Sequence, residues 1–160
     1  MGKEKKEKKV KQAADSDNEE EVSLDAVSPI AHPLATDKLC KKLLKTVKKA
    51  AKQRHVRRGV KEVVKAVRKG EKGLVIIAGD ISPIDVITHV PVLCEDASVP
   101  YCYVPSKEAL GTAGATKRPT SVVMIVPGGK KKDMKAAEEY RETYDECFGK
   151  VKELDENLKF

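Results

Sequence analysis

The chain has 160 residues, with 32 Lys and Arg against 25 Asp and Glu, and a formal net charge of +7. This length predicts one compact domain with tails. Because Trp is absent and Phe occurs twice, the core must consist mainly of Val, Ile, Leu and Ala. The N-terminus is rich in Lys, and no apolar run approaches the roughly 18 residues of a membrane span. We therefore expect neither a secreted nor a membrane-spanning protein, but an intracellular one without a membrane partner.

The positive charge is concentrated in one region. Residues 38–72 carry 15 basic and 2 acidic side chains, a net charge of +13, whereas residues 1–37 and 73–160 each carry a net charge of −3. A solvated lysine face is the ordinary explanation of a single basic helix. A concentration this high is instead typical of a polyanion-binding surface, which favours RNA or DNA as the partner.

The chain begins with a charged segment. Residues 1–28 hold a Lys/Glu block and then an acidic stretch without apolar periodicity, so they are predicted to be a disordered tail. The basic block is compatible with a nuclear or nucleolar address, with a loose RNA-binding tail or with a solubilising segment. A single domain is predicted over residues 29–158.

Two helices are predicted next. Apolar residues at helical spacing predict a helix over residues 38–53, with lysines on its other faces. An extended segment at residues 55–57 leads into a second helix, which has valines at 60, 63, 64 and 67 on one face and ends at Gly70.

Strands and helices alternate over the following part of the chain. Three apolar runs predict strands, over residues 74–78, 99–104 and 121–126. Ser82 carries the N-cap signal of a helix that runs to about Asp96 and bends at Pro91, and Ser106 caps a short helix that ends near Leu110.

The C-terminal part completes the predicted fold. A flexible joint is predicted over residues 127–135, and a helix over residues 136–155 with Tyr140, Tyr144 and Val151 on its inward face. Strands that alternate with helices predict an α/β fold: a three-layer α/β/α sandwich around a small, mainly parallel mixed sheet.

The start of the second helix has the character of a phosphate-binding element. Arg57 and Arg58 stand just before it, although cations at a helix N-terminus oppose the macrodipole. Gly59 lets another backbone approach the first turn. Free N–H groups with flanking arginines bind phosphate well, so the segment predicts contact with nucleic acid.

No catalytic or metal site can be assembled from the sequence. The four cysteines form no CxxC pair and three of them lie in apolar patterns, as buried thiols do; the three histidines are scattered. Asp80 and Asp85 follow a strand, where α/β active sites often lie, but turn chemistry and helix capping explain them. The glycine-rich loop at 111–117 fits neither the P-loop nor the dinucleotide-binding pattern. We expect no enzyme activity, metal, cofactor or small-molecule substrate.

Other charged residues are candidates for binding. Lys117 and Arg118 lie between a loop of small residues and a strand, a place from which cations reach a ligand. Lys107 lies in the first turn of its helix, where its charge opposes the dipole and attracts an anion. Glu62 is a lone acid in a basic field; an ion pair with Lys65 and an acceptor for guanine N–H donors are both open interpretations.

Several motifs recur in the order and at the spacing of the kink-turn-binding ribosomal protein family, which the chain resembles. The motifs are Arg57–Lys65, Lys69–Pro83, His89–Asp96, Val99–Lys107 with Leu110 and Gly111, and Lys117–Pro119. The resemblance covers about residues 29–126 and the C-terminal helix, and it implies the same α/β/α fold. Within the family, the residues are most similar to those of the nuclear members that occur with pseudouridine-guide RNAs.

The resemblance implies a non-catalytic scaffold in an H/ACA ribonucleoprotein. The partners it implies are an H/ACA guide RNA, the pseudouridine synthase subunit, which carries the chemistry, and the small H/ACA core proteins. It also implies a location in the nucleus and nucleolus, where ribosomal RNA matures.

The RNA contacts of the family can be carried over residue by residue. They fall on Gly59, Glu62, Lys65, Val86, Lys107, Thr116 and Arg118. Together with the cations singled out from the sequence, they complete a predicted RNA-binding set that also contains Arg57, Arg58, Lys61 and Lys117.

Two positions depart from the family pattern. Members that read kink-turns strictly have Asn in place of Lys61 and an aliphatic residue in place of Thr116. Asn offers a base edge both a donor and an acceptor, whereas Lys offers only donors and charge. We therefore expect RNA binding that depends mainly on phosphate contacts, with weakened kink-turn specificity.

Other functions stay open at this stage. A box C/D or ribosomal kink-turn binder would share the fold, and Lys61 argues against it. A small nucleotide-using enzyme on this scaffold and a generic basic chromatin or membrane-surface protein are the further alternatives.

Overall fold

A computed structural model describes residue 31 and residues 34–81, 84–127 and 134–157. The predicted N-terminal tail, most of the predicted joint at 127–135 and the predicted cap at Ser82 lie outside these ranges. No helix in the described ranges is long and apolar enough to cross a lipid bilayer.

Four strands and five helices build the described part of the domain. The strands are β1 (Val56–Arg58), β2 (Leu74–Ala78), β3 (Tyr101–Val104) and β4 (Val122–Ile125). The helices are α1 (Asp37–Lys52), α2 (Val60–Arg68), α3 (His89–Asp96), α4 (Lys107–Ala113) and α5 (Met134–Asn157).

Helices cover both faces of the sheet. One core cluster lies between the sheet and α1, α4 and α5, and includes Leu43, Leu110 and Tyr140. The other lies between the sheet and α2 and α3, and includes Val63 and Val90. All five residues of β2 are buried, as expected of a strand with a helix layer on each side. The predicted three-layer α/β/α sandwich is confirmed.

The sheet is mixed, in the order β1-β4-β2-β3. Only β2 and β3 pair in parallel, whereas β4 runs antiparallel to both β1 and β2. The prediction of a mainly parallel sheet is therefore wrong, although the prediction of a mixed one is right.

The reason lies in the segment between α4 and β4, which doubles back along the helix. The N–H of Thr120 donates to the carbonyl of Lys107, the first residue of α4, over 3.2 Å. This return requires Gly111, because a Cβ there would lie 2.3 Å from the carbonyl oxygen of Arg118. The chain thus begins β4 at the end of the sheet where β3 stopped, and β4 has to run the other way.

The boundaries of two helices differ from those predicted. A short 3₁₀ turn at Ile84–Val86 precedes α3, which begins only at His89 and so contains Pro91 in its first turn, where the missing N–H costs little. Ser106 caps α4 as predicted, by accepting the N–H of Ala109, and the helix continues to Ala113.

The cysteines lie in or against the core and form no disulfide within the described residues. Cys94, Cys102 and Cys147 are buried, as predicted, and Cys40 is half-buried. Burial is the main cause that raises the pKa of Cys94 and that of Cys102 to about 12. These thiols therefore stay protonated and unreactive at neutral pH.

Candidate nucleic-acid interface

The strand pairing brings four chain segments to one end of the sheet, which we call the upper end. There β1, β2 and β3 finish and β4 begins. The predicted RNA-binding residues come from the connections at this end. They lie in β1 and α2 (Arg57, Arg58, Gly59, Lys61, Glu62 and Lys65), after β2 (Val86) and from α4 to β4 (Lys107, Thr116, Lys117 and Arg118).

The N-terminus of α2 is open. Gly59 occupies its N-cap position with φ 90° and ψ 152°, and has no side chain to accept a hydrogen bond from the first turn. Its own N–H donates to the carbonyl of Val122 over 2.9 Å, which fixes the start of α2 to the start of β4. A Cβ at Gly59 would meet nothing within 4 Å. The first amides of α2 are thus held rigidly at the upper end and remain available to an anion.

Arg58 joins β1 to the segment between α4 and β4 (residues 114–121), which we call the returning segment. Its Nη1 donates to the carbonyl oxygen of Gly114 over 2.7 Å. Together Arg58, Gly59 and the returning segment line a groove of about 320 Å³, which we call the upper groove. Its lining residues are Arg58, Gly59, Thr116, Pro119, Thr120 and Ser121. The guanidinium of Arg58, held by this hydrogen bond, places positive charge beside the open N-terminus of α2.

Arg57 lies apart from the upper groove. Neighbouring residues of a strand point to opposite faces of the sheet, so Arg57 points toward the α2 layer while Arg58 points toward α4. The Nε of Arg57 lies 3.5 Å from Oε2 of Glu71, a separation that gives an ion pair. The structure therefore separates the two arginines that the sequence places side by side.

The N-terminus of α4 is closed, in contrast to that of α2. Oδ1 of Asp80 accepts the backbone N–H of Lys107 over 3.0 Å, and the hydroxyl of Ser106 accepts that of Ala109. The sequence predicts an external anion near Lys107, but the carboxylate of Asp80 already occupies this helix end. Asp80 thus has a structural role as a helix cap.

The outward face of α2 presents Lys61, Glu62 and Lys65, all exposed. Within the described ranges Glu62 forms no ion pair, so the pair with Lys65, one of the two open interpretations, is not formed. The carboxylate of Glu62 is therefore free to accept a hydrogen bond. Val86, in the 3₁₀ turn after β2, is 43% exposed, which is unusual for a large apolar side chain.

The returning segment places its cations at the surface. Lys117 and Arg118 are exposed, while Thr116 is half-buried and its hydroxyl accepts the N–H of Arg118 over 3.3 Å. The N–H of Thr116 donates to the carbonyl of Gly111, which ties the segment to α4. These contacts hold Thr116 in the upper groove and direct its two cationic neighbours to solvent.

Sequence reasoning missed three residues of the upper groove: Pro119, Thr120 and Ser121. They lie there only because the chain reverses direction after α4, and no local sequence pattern predicts that reversal. Elsewhere, His55 is buried and its Nδ1 lies 2.7 Å from the hydroxyl of Tyr140, as expected of a structural histidine. In the described part of the chain, no group of three or more His, Cys, Asp or Glu side chains could hold a metal ion.

Comparisons with known proteins identify the family. The profile of the Ribosomal protein L7Ae/L30e/S12e/Gadd45 family matches residues 41–135. Among solved structures, the Giardia lamblia 15.5kD RNA binding protein matches with a TM-score of 0.71 at 37% identity, over 80% of this chain and 99% of that one.

The curated relatives are H/ACA ribonucleoprotein complex subunits. The Schizosaccharomyces pombe subunit is 70% identical over 90 residues, which are 56% of this chain and 58% of that protein. Subunit 2 of Bos taurus is 52% identical over 128 residues, 80% of this chain and 78% of that protein. The subunit 2-like protein of Arabidopsis thaliana is 50% identical over 130 residues, 80% and 83% of the two chains. Their names are those of ribonucleoprotein subunits, in agreement with the prediction of a non-catalytic protein.

The fold, the positions of the family motifs and these matches lead to one conclusion: the chain belongs to the Ribosomal protein L7Ae/L30e/S12e/Gadd45 family, and within it the chain is similar to the H/ACA ribonucleoprotein subunits.

Proposed function

We propose that this chain is a non-catalytic RNA-binding subunit of H/ACA small nucleolar ribonucleoproteins, which guide the pseudouridylation of ribosomal RNA in the nucleolus. Its partners would be an H/ACA guide RNA, the pseudouridine synthase subunit and the small H/ACA core proteins. The similarity to H/ACA subunits supports the assignment to this class of particle.

The single observation that carries the RNA-binding part is the open N-terminus of α2 beside Arg58. Amides without a capping side chain and a fixed guanidinium form a receptor for a phosphate group. The closed N-terminus of α4 shows that the same fold can satisfy a helix end internally. The exposed cations Lys61, Lys65 and Lys117 extend the positive surface around this receptor.

Phosphate contacts dominate this interface, and base readout is weak. Lys61, on the outward face of α2, brings charge but cannot accept a hydrogen bond from a base. With about four to six phosphate contacts, the affinity for RNA falls by about two to three decades between 50 and 200 mM salt. A kink-turn RNA and a plain structured hairpin should bind with similar affinity.

A substitution at Lys61 tests this explanation. Lys61→Asn restores an acceptor at the base-reading position, so we expect the preference for a kink-turn over a plain hairpin to rise by about tenfold. The measurement is a titration of both RNAs with the full chain at several salt concentrations. Lys69→Asn is the matched control, because it removes the same charge at the other end of α2 and should leave the ratio unchanged. A strong kink-turn preference of the unaltered chain at physiological salt would contradict weakened readout.

Crosslinking in cells, followed by sequencing of the bound RNA, tests the assignment to H/ACA particles. Recovery of H/ACA guide RNAs together with a pseudouridine synthase supports the proposed function. Recovery of box C/D RNAs instead would make the chain a kink-turn subunit of the other class.

A further inference from the structure

The outer surface of α1 carries a row of lysines that the proposed RNA site does not use. Its members, which we call the lysine stripe, are Lys38, Lys41, Lys45, Lys48 and Lys52, and all of them are exposed. Their spacing of three and four residues places them on one face of the helix. The buried residues Leu39, Leu43 and Val47 lie on the opposite face.

Helix stability does not explain the stripe. Like charges three and four residues apart destabilise a helix, whereas a carboxylate at one of these positions would form a favourable pair. Lys45, Lys48 and Lys52 make no ion pair with any carboxylate of the described residues. Lys42, on the flank of the same helix, does pair with Glu146 of α5. The charges of Lys45, Lys48 and Lys52 are therefore not neutralised within the described residues and face outward.

The stripe and the upper groove share one end of the molecule. α1 packs on the face of the sheet opposite to α2. It starts near the upper end of the sheet, where the N–H of Ala35 donates to the carbonyl of Tyr103 in β3. It runs to the opposite, lower end, where β1 begins and β4 finishes and where the N–H of Val126 donates to the carbonyl of His55. From Lys38 to Lys52 the stripe extends about 21 Å along the helix axis.

Given the proposed RNA-binding function, on which this inference rests, we propose that the lysine stripe is a second phosphate-contacting surface. It binds the backbone of an RNA stem that continues beyond the upper groove and down the side of α1. Lysines on flexible stems act as point charges and read no bases, so this surface adds affinity without sequence specificity. An RNA too short to pass α1 does not engage it.

The test compares two RNAs and two sets of substitutions in the full chain. One RNA is a short hairpin that reaches only the upper groove, and the other is the same hairpin with an extended stem. Lys38→Gln, Lys45→Gln and Lys52→Gln together remove three stripe charges while keeping helix propensity. The matched control, Lys69→Gln, Arg141→Gln and Lys152→Gln, removes three exposed charges elsewhere.

We expect the stripe variant to bind the short hairpin normally and the extended one more weakly. The slope of log affinity against log salt for the extended RNA should decrease by about 3, one unit for each lost phosphate contact. The control variant should keep the slope of the unaltered chain. Lysine acetylation read by mass spectrometry should show that the extended RNA protects Lys45 and Lys52 but not Lys152.

Three results would overturn the proposal. The first is an equal loss of affinity in the stripe and control variants, which would show a general effect of net charge. The second is an unchanged slope for the extended RNA in the stripe variant. The third is protection of the stripe from acetylation by a peptide with the acidic sequence of residues 12–30, and not by RNA. That result would assign the stripe to binding of a protein segment. Arg58→Gln distinguishes these outcomes from failure of the proposed function. It should weaken the binding of both RNAs whether or not the stripe contacts RNA.

Discussion

The backbone at Gly59 meets two demands at once. Its φ of 90° turns the chain from β1 into α2, and its N–H bonds to Val122 across the sheet. A residue with a Cβ would be strained in this conformation, although there is open space for the Cβ itself. The requirement for glycine here is therefore conformational, and the open space is available to a ligand.

Gly59→Ala should lower the free energy of unfolding by about 1–3 kcal/mol, because the left-handed φ is costly for any residue with a side chain. The measurement is urea unfolding followed by circular dichroism. Gly149→Ala in α5 is the control; it has no atom within 4 Å of the added Cβ and a helical backbone, so it should raise the free energy by about 0.5–1 kcal/mol. Similar losses in both variants would contradict the conformational explanation.

The two arginines before α2 show how far residue-level prediction reaches. Their sequence neighbours and charge indicated a phosphate-binding segment, and Arg58 lines the upper groove. Arg57 lies on the other face, because the short segment forms a strand and strands alternate their side chains. Only the pairing of β1 with β4, a contact between distant parts of the chain, decides which of the two reaches the groove.

Among the elements, the helices follow from the sequence better than the sheet does. The apolar residues of α1, α2 and α5 recur at helical spacing over several turns, and such periodicity is a local property of the sequence. The direction of β4 depends on a return of the chain after α4, which is fixed by contacts of Thr120 and Gly111. The closed end of α4 likewise depends on Asp80, 27 residues from Lys107. Such contacts leave no local pattern.

One buried hydrogen bond links α5 to the segment before β1. The hydroxyl of Tyr140 lies 2.7 Å from Nδ1 of His55, across 85 residues of sequence. Tyr140→Phe leaves the imidazole nitrogen buried without this partner and should cost about 1–2 kcal/mol of unfolding free energy, measured in urea. Tyr144→Phe, one turn further along α5, is the matched control and should cost less, because the hydroxyl of Tyr144 makes no hydrogen bond within the described ranges. Equal costs would show that the bond contributes nothing.

For the molecule as a whole, both core clusters contain a thiol that resists ionisation. Cys94 lies in the cluster under α2 and α3, and Cys102 in the cluster under α1, α4 and α5. Burial raises the pKa of each to about 12 in the folded protein, against about 8.5 in an unfolded chain. In alkali, the unfolded state therefore loses these protons before the folded state does.

The free energy of unfolding should be constant up to about pH 8 and fall between about pH 9 and 12, by about 1 kcal/mol per pH unit for each buried thiol. The sign follows because the unfolded chain binds fewer protons than the folded one in this range. Urea unfolding at a series of pH values checks it. Cys94→Ala should reduce the slope, whereas Cys40→Ala, at a half-buried site, should reduce it less. If the unaltered chain, Cys94→Ala and Cys40→Ala all lose unfolding free energy equally steeply with pH, the buried thiols are not the cause.

The lysine stripe extends about 21 Å along α1, from the upper end of the sheet toward the opposite end. At physiological ionic strength, charges interact strongly only within about 8 Å. The lysines in the last turns of α1 therefore barely affect the electrostatic field at the upper groove, and a phosphate bound in the groove does not neutralise them. The contributions of the two surfaces to the binding free energy add, so the affinity for an RNA becomes a measure of how far it extends over the protein.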